Sequence, residues 1–194
     1  MRLVVGLGNP GAEYDDTPHN VGFATLDELA RRALVSFRRG PVAESMTAQM
    51  PAGFETVLFK PLSFMNLSGR PVSAAIRWYK IRPQDVFVIC DDVNIPFGRL
   101  RIRQGGGPGG QKGLNSIIQS IGTESIPRMR MGVGGGYPGA DIGNYVLKRL
   151  RGKELADYHE LVGRGADAIE HWLESGIESM MNKFNIIVDD KDKE

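Results

Sequence analysis

Asp85-Val-Phe-Val-Ile-Cys-Asp91 is the clearest buried strand that the amino-acid sequence contains. Its five central residues are all apolar, which is typical of a strand that is covered on both faces. A shorter run of the same kind, Arg2-Leu-Val-Val-Gly-Leu7, opens the chain. Both runs therefore predict strands in the interior of the protein.

Strands and helices alternate along the rest of the chain. Short apolar or alternating runs predict strands, and apolar residues at helical spacing predict helices. Further strands are expected at 42–50, 54–60, 99–104 and 129–133, and helices at 20–34, 67–80, 114–121 and 154–175. This alternation predicts one α/β domain over residues 1–188, with a sheet covered by helices on both faces, and a charged, frayed tail at 189–194.

The composition excludes several classes of protein. A chain of 194 residues with 41% hydrophobic residues and a net charge of +1 is too apolar to be disordered. One cysteine excludes a disulfide framework and fits a reducing compartment, so a cytoplasmic location is expected. The apolar runs are short and the first of them reaches glycine at once, so neither a membrane span nor a signal peptide is predicted.

The small net charge hides an uneven distribution. Between residues 60 and 130, eleven basic side chains stand against four acidic ones, which gives this segment a net charge of +7 and the remainder −6. The strand at 99–104 alternates arginine with apolar residues, so one of its faces presents arginines to solvent. With Arg128 and Arg130 nearby in sequence, a nucleic-acid backbone is the partner that this segment favours.

A glycine-rich loop, Gly6-Leu-Gly-Asn-Pro-Gly11, follows the opening strand. Its spacing matches a dinucleotide-binding loop, but Pro10 lacks an N–H group that would cradle a pyrophosphate, and turn residues follow where a helix should begin. Glycines needed only for a tight turn are the simpler interpretation. Neither interpretation explains Asn9, an amide at the carboxyl end of a strand, where α/β proteins bind their ligands.

His19 and Asp91 are the candidates for acid–base chemistry. Asp91 ends the buried strand, and His19 lies in the loop beyond the first strand, where a solvated histidine is the alternative. At the carboxyl edge of the sheet, the carboxylate would fix the tautomer of the imidazole. Cys90 is expected to be a buried thiol on the opposite face, because strand residues alternate. The sequence shows neither a metal-ligand cluster nor a serine nucleophile motif, so if the protein is a hydrolase, water is the expected nucleophile.

Two further segments place binding side chains just before a predicted helix. Phe64 and Asn66 precede one helix, for which an N-cap and a core aromatic are the alternative. The loop at 105–110 precedes another and could form an anion nest from its backbone N–H groups. Lys112 in the first turn of that helix would oppose the helix dipole unless a phosphate compensated it. A flexible surface loop with a solvated lysine is the alternative there.

Several motifs follow one another in a fixed order: Gly-Leu-Gly-Asn-Pro-Gly, Tyr14, Thr-Pro-His-Asn at 17–20, Phe-Met-Asn-Leu-Ser-Gly at 64–69, Asp-Asp at 91–92 with Ile-Pro at 95–96, and the Gly-Gly-x-Gly-Gly loop. Together they resemble the bacterial peptidyl-tRNA hydrolase family, collinearly from residue 3 to about residue 185. The resemblance implies a monomeric α/β protein around a mixed, twisted sheet. It also implies a hydrolase, without metal or cofactor, that cleaves the ester joining a peptide to the 3′ ribose of tRNA.

The resemblance also implies roles for the residues at matching positions. His19 would be the base that activates water, and Asp91 would stabilise its working form. Asn9 would grip the peptide main chain and help to reject free aminoacyl-tRNA. Asn66 would position the substrate.

By the same resemblance, a second group of residues would bind tRNA. Tyr14 and Phe64 would line the side that receives the tRNA 3′ end, and Arg103 and Arg130 match basic positions that would clamp the 5′-terminal phosphate of the acceptor stem. One departure concerns the sequence after the glycine loop. The familiar bacterial form reads Gly-Gly-His-Asn-Gly-Leu, whereas this chain reads Gly-Gly-Gln-Lys-Gly-Leu, so Lys112 replaces an amide that helps to bind substrate. A lysine there would reach a phosphate or the 3′-terminal ribose region.

Two other functions remain open at this point. One is a non-catalytic RNA-binding relative of the same fold, and the other is a nucleotide-dependent oxidoreductase. Asn9, His19, Asn66 and Asp91 occur together, which argues against the first, since binding alone needs none of that set. Thermal stabilisation by NAD(P) would identify the second.

Overall fold

Seven strands form one sheet in the computed structural model, which describes residues 1–51, 53, 55–136 and 141–185. In chain order the strands are β1 (Arg2–Gly6), β2 (Arg38–Arg39), β3 (Ser45–Gln49), β4 (Thr56–Pro61), β5 (Val86–Asp92), β6 (Leu100–Arg103) and β7 (Arg128–Gly132). The helices of the described part are α1 (Val21–Arg32), α2 (Gly69–Tyr79), α3 (Lys112–Ile121), α4 (Ile142–Leu147) and α5 (Gly152–Phe184). The strands lie in the order β2-β3-β4-β1-β5-β7-β6.

The sheet is parallel at its centre and antiparallel at its edges. β1 pairs in parallel with β4 and β5, and β5 pairs in parallel with β7. β3 joins β4, and β6 joins β7, in antiparallel register. All residues of β5 are buried, as its apolar sequence predicts. The mixed sheet of a single α/β domain, expected from the resemblance, is confirmed.

Helices cover both faces of the sheet. On one face, α1 and α5 pack on strand side chains that include Val4, Phe87 and Met131. On the other face, α2 and α3 pack on side chains that include Val5 and Val88. The alternation of side chains along each strand separates these two cores. The prediction of helices on both faces is therefore confirmed.

Helix α1 lies so close to the sheet that glycine is required at the crossing. A Cβ atom on Gly22 would lie 2.5 Å from the backbone nitrogen of Leu7 and 2.6 Å from the backbone oxygen of Ile89. A Cβ atom on Gly6 would collide with the backbone of Gly22. This contact fixes the first turn of α1, and the residues just before it, against the carboxyl ends of β1 and β5.

Charged side chains hold α1 against α5. Arg32 donates hydrogen bonds to Asp167 at 2.7 Å and to Glu170 at 2.8 Å, both on α5, and to Glu28 at 2.7 Å on its own helix. Hydrogen bonds from Arg31 and Arg32 lower the pKa of Glu28 to about 2. The network adds an electrostatic contact at the rim of the core between the two helices.

Several elements differ from the sequence prediction. β2 and α4 were not predicted, and each is short. α5 extends to Phe184 instead of ending at 175, with a break at Gly176, where φ is 80° and ψ is 175°. No helix of the described ranges, α5 included, is long and apolar enough to cross a membrane. Residue 54, the domain boundary at 188 and the charged tail at 189–194 lie outside the described residues.

The side chain of Asn185 lies along strand β6 at the edge of the sheet. Its Oδ1 accepts a hydrogen bond from the backbone N–H of Ile102 at 2.7 Å, and its Nδ2 donates to the carbonyl of Ile102 at 3.0 Å. A side-chain amide offers the same donor and acceptor as a peptide group. Asn185 therefore satisfies both backbone groups of Ile102 as a neighbouring strand would.

Candidate active site

His19 and Asp91 meet at the carboxyl edge of the parallel strands. His19 lies in a 3-10 turn, Pro18–Asn20, that leads directly into α1, and Asp91 is the penultimate residue of β5. Nδ1 of His19 lies 2.9 Å from Oδ2 of Asp91. The histidine side chain is 17% exposed and the aspartate side chain 5%. Because a carboxylate can only accept, Nδ1 carries the proton and Nε2 is the free basic nitrogen.

Asn9 lies in the loop after β1 with its backbone and side chain fixed in different ways. The side-chain amide of Asn20 bonds to both the backbone N–H and the backbone carbonyl of Asn9, at 2.8 Å and 3.0 Å. Oδ1 of Asn9 accepts a hydrogen bond from the backbone N–H of Met65 at 2.9 Å. Its Nδ2 has no hydrogen-bond partner among the described residues, so it remains available to a ligand.

A cleft of about 740 Å³ opens over these residues. Seven of the nine site residues predicted from the sequence line it: Asn9, His19, Phe64, Asn66, Asp91, Lys112 and Arg130. The cleft is closed on another side by apolar residues of α4, Val146 and Leu147. Sequence analysis did not predict α4, because six residues between loops give too short a periodic pattern to detect.

Tyr14 and Arg103 do not line this cleft. Tyr14 ends a 3-10 turn, Ala12–Tyr14, and is half-buried, and its carbonyl accepts a hydrogen bond from the hydroxyl of Thr17 at 2.7 Å. Arg103 is exposed at the end of β6. Any contact of these two side chains with a substrate would therefore lie beyond the cleft itself.

The segment before α2 presents its polar and aromatic side chains outward. Phe64 is 59% exposed and Asn66 is also exposed. The N-cap position of α2 is occupied by Ser68, which makes no side-chain cap, and the hydroxyl of Ser68 donates to the carbonyl of Met65 at 2.9 Å. The alternative, in which Asn66 or Ser63 caps the helix and Phe64 lies in the core, is therefore wrong.

Gln111 is a site residue that sequence analysis missed. It is 7% exposed and forms the N-cap of α3, where its Oε1 accepts a hydrogen bond from the backbone N–H of Leu114 at 2.9 Å. Its Nε2 donates to Oδ1 of Asp91, also at 2.9 Å. The departure from the familiar family pattern at this position was visible in the sequence, but the contact with Asp91 was not.

Four arginines share the face of β6 and β7 that points away from α5. Register pairs Arg101 with Arg130 and Arg103 with Arg128. Arg101 and Arg103 are exposed, whereas Arg128 is only 2% exposed. Its guanidinium donates to the carbonyls of Ile126 at 2.6 Å, Gly106 at 2.5 Å and Glu124 at 3.1 Å. Burial lowers the pKa of the Arg128 guanidinium from its ordinary value.

Arg130 is also held in place by its neighbours. Its Nη2 lies 2.9 Å from Oδ2 of Asp92 and donates to the carbonyl of Gly109 at 2.7 Å. The Asp92 side chain is almost wholly buried. Arg128 and Arg130 therefore hold the glycine loop from below, and the two arginines of β6 are the exposed cations of this face.

Lys112 begins α3 beside the glycine loop. It is exposed, lines the cleft and makes no ion pair with a residue of the described ranges. A cation in the first turn of a helix is unfavourable by roughly 0.3–1 kcal/mol unless an anion compensates it. The position is suited to a negatively charged part of a ligand in the cleft.

Cys90 lies behind the cleft and cannot act in it. It is fully buried in the core under α2 and α3, as the alternation along β5 predicts. Burial, together with the negative charge of Asp91, raises the pKa of the Cys90 thiol above its ordinary range. Within the described ranges, no group of three or more His, Cys, Asp or Glu side chains is arranged to hold a metal ion.

The fold and the site define a class of protein: an α/β protein with a histidine held by a carboxylate at the carboxyl ends of its parallel strands. The sequence matches the family described as Peptidyl-tRNA hydrolase over residues 3–194. The chain belongs to the peptidyl-tRNA hydrolase family, as the resemblance of its motifs implied.

Relatives match this chain over nearly its whole length. The peptidyl-tRNA hydrolase of Bacillus cereus (strain Q1) is 40% identical over 185 residues, which cover 95% of this chain and all of the relative. That of Desulforamulus reducens is 42% identical over 186 residues, which cover 95% of this chain and 89% of the relative. The crystal structure of peptidyl-tRNA hydrolase from Acinetobacter baumannii matches with a TM-score of 0.87 at 28% identity, covering 95% of this chain and 94% of the other.

Proposed function

We propose that the protein hydrolyses peptidyl-tRNA at the ester bond between the peptide and the 3′ ribose, which recycles tRNA from prematurely released translation products. The observation that carries this proposal is the His19–Asp91 pair beside an open cleft, in which Nε2 of His19 has no hydrogen-bond partner among the described residues. Membership of the peptidyl-tRNA hydrolase family supports the choice of substrate. The two exposed arginines of β6, Arg101 and Arg103, support binding of a polyanion.

In this proposal His19 removes a proton from water through Nε2 as the water oxygen attacks the ester carbonyl. Asp91, at 2.9 Å from Nδ1, stabilises the imidazolium that forms. The ester C–O bond then breaks, and the imidazolium gives its proton to the 3′ oxygen of the ribose. The products are a peptide with a free carboxyl group and a tRNA with a free 3′ hydroxyl.

Asn9 would recognise the peptide through its Nδ2, which has no hydrogen-bond partner among the described residues. Its Oδ1 is already engaged by Met65, so Nδ2 is the group that faces a ligand. An N–H donor can bind the carbonyl of a peptide bond beyond the ester. A free aminoacyl-tRNA has an ammonium group and no such carbonyl, so this contact would favour peptidyl over aminoacyl substrates.

The 3′ end of tRNA would lie against the exposed side chains at the mouth of the cleft. Phe64 offers an aromatic face on which a base can stack, and Asn66 an amide that can position the substrate. Lys112 would approach a phosphate or the terminal ribose region. Tyr14 would also contact the 3′ end of tRNA, at a point outside the cleft.

The acceptor stem would bind along the arginine face. Arg103 is exposed and is assigned to the 5′-terminal phosphate. Arg130, the second basic position, would contribute to binding of the same phosphate, although its guanidinium also bonds to Asp92 and Gly109. Contacts of this kind depend on the RNA backbone, so binding should tolerate different tRNA sequences and weaken as salt increases. We place the protein in the cytoplasm as a monomer, in keeping with its single cysteine and with the family resemblance.

The test is hydrolysis of N-acetyl-aminoacyl-tRNA, with and without a metal chelator. His19→Ala is expected to reduce kcat by roughly 100-fold or more, since it removes the general base, while tRNA binding stays within twofold of wild type. His159→Ala is the matched control, because His159 lies on α5 with 62% of its side chain exposed and outside the active-site cleft.

The same assay distinguishes the proposed hydrolase from a non-catalytic RNA-binding relative of the same fold. A wild-type protein that binds tRNA but releases no peptide would reject the proposed reaction. Full turnover by His19→Ala would remove His19 from the mechanism, and loss of turnover on chelation would show that a metal ion takes part.

A further inference from the structure

The buried amide of Gln111 connects the carboxylate of the active site to a helix. Oε1 is used by the N–H of Leu114 and Nε2 by Oδ1 of Asp91. Exchanging the two ends of the amide would set two donors against each other at Leu114, and two acceptors against each other at Asp91. Only one orientation of Gln111 therefore satisfies both neighbours.

Both oxygens of Asp91 are engaged as a result. Oδ2 faces His19 and Oδ1 faces Gln111, each at 2.9 Å, and the residue is only 4% exposed. Rotation of this nearly buried carboxylate would break both hydrogen bonds. The donor from Gln111 thus fixes the plane of the carboxylate that orients the imidazole.

We propose that Gln111 is a positioning residue for the hydrolysis, acting through Asp91 on His19. This inference rests on the proposed function and adds to it a residue outside the predicted set. Because an amide has the same donor and acceptor at every pH, it holds Asp91 in the same way throughout the working range. It also couples the His19–Asp91 pair to the first turn of α3, which carries Lys112.

Two substitutions separate positioning from helix capping. Gln111→Glu keeps an oxygen that can cap α3, but replaces the donor to Asp91 by a carboxyl group. While that carboxyl group is protonated it can still donate, and once ionised it repels Asp91. The ratio of variant to wild-type kcat is therefore expected to fall as the pH rises. Gln111→Met removes both hydrogen bonds at similar volume and is expected to lower kcat by about 10- to 100-fold at every pH, with KM within twofold.

A measurement without turnover separates this inference from the proposed function. The ¹⁵N chemical shifts of His19 report which ring nitrogen carries the proton, and Gln111→Met is expected to reduce the population protonated at Nδ1. This measurement tests the positioning role even if the wild-type protein does not hydrolyse peptidyl-tRNA. Gln119→Glu, the same substitution on the exposed side of α3, is expected to change neither readout.

The result that would overturn the inference is specific. If kcat of both variants stays within twofold of wild type, with a flat pH ratio and an unchanged His19 tautomer, Gln111 only caps α3. If only Tm changes, while kcat, its pH ratio and the His19 tautomer do not, the conclusion is the same: Gln111 caps α3 and does not position Asp91.

Discussion

Arg103 and Arg128 face each other across β6 and β7, yet only one of them is exposed. Replacing each in turn by methionine removes the charge while keeping an unbranched side chain. We expect the two substitutions to have opposite effects. Arg128→Met should destabilise the fold with little direct effect on binding, whereas Arg103→Met should weaken tRNA binding with little effect on stability.

The cost at Arg128 follows from its hydrogen bonds. Its guanidinium binds the carbonyls of Ile126, Gly106 and Glu124. Methionine would leave those of Ile126 and Gly106 unpaired at about 1–3 kcal/mol each, whereas the carbonyl of Glu124 keeps the backbone N–H of Gly106. The relief of no longer desolvating a buried cation offsets part of this cost. We expect a net loss of about 3 kcal/mol, which for a chain of this size lowers Tm by roughly 6–12 °C.

The effect at Arg103 should appear in the dependence on salt. An exposed residue of this kind changes stability by no more than about 0.5 kcal/mol. If it contacts one phosphate, its removal reduces the slope of log KM against log salt concentration by about 0.7–1. KM should rise most at low salt, because the lost contact is electrostatic.

The assay combines thermal denaturation with steady-state kinetics at several KCl concentrations. A loss of less than about 1 kcal/mol in Arg128→Met would show that the carbonyls of Ile126 and Gly106 do not depend on that guanidinium. A salt slope in Arg103→Met equal to that of wild type would exclude Arg103 from the phosphate contacts. Either outcome would refute the division of the arginine face into structural and binding residues.

Two further substitutions test the elements that support the site. Gly22→Ala should cost about 1–3 kcal/mol of stability by overpacking and should lower kcat, because it displaces the helix that follows His19. Gly163→Ala, at an uncrowded position inside α5, should raise Tm slightly, since alanine is the better helix former, and should leave kcat unchanged. Glu28→Gln should cost no more than about 1 kcal/mol at neutral pH, measured by denaturation. The pKa of Glu28 is lowered by Arg31 and Arg32 to about 2, so this contribution is present above the unfolded value of 4.5 and should vanish as the pH falls to about 2. A difference that persisted at pH 2, or an unaffected Gly22→Ala, would contradict these expectations.

The alternation of side chains between the two faces of a strand explains which site residues could be predicted from the sequence. Along β5, side chains alternate between faces, so the sequence placed Cys90 in the core and Asp91 at the cleft. The same rule put Arg101 and Arg103 on the exposed face of β6. These predictions depend only on neighbours within one strand, which are fixed by the backbone.

Contacts between distant segments could not be predicted in this way. Alternation puts Arg128 on the polar face of β7, but the glycine loop that folds over it makes it a buried cation. Gln111 looked like a loop residue, and its role depends on Asp91, 20 positions away. α5 was expected to stop at 175, yet the helix resumes after the break at Gly176, and Met180 of the added turns packs in the core.

The hydrogen bonds between Asn185 and Ile102 have a consequence for association between chains. An unprotected outer strand offers a row of free N–H and C=O groups to which another chain can add as a further strand, the starting point of β-aggregation. On β6 the N–H and C=O groups of Ile102 are already occupied by a side chain, and the opposite border of the sheet, β2, is only two residues long. Both borders are thus poor templates for strand addition, and Asn185→Ala would open one of them.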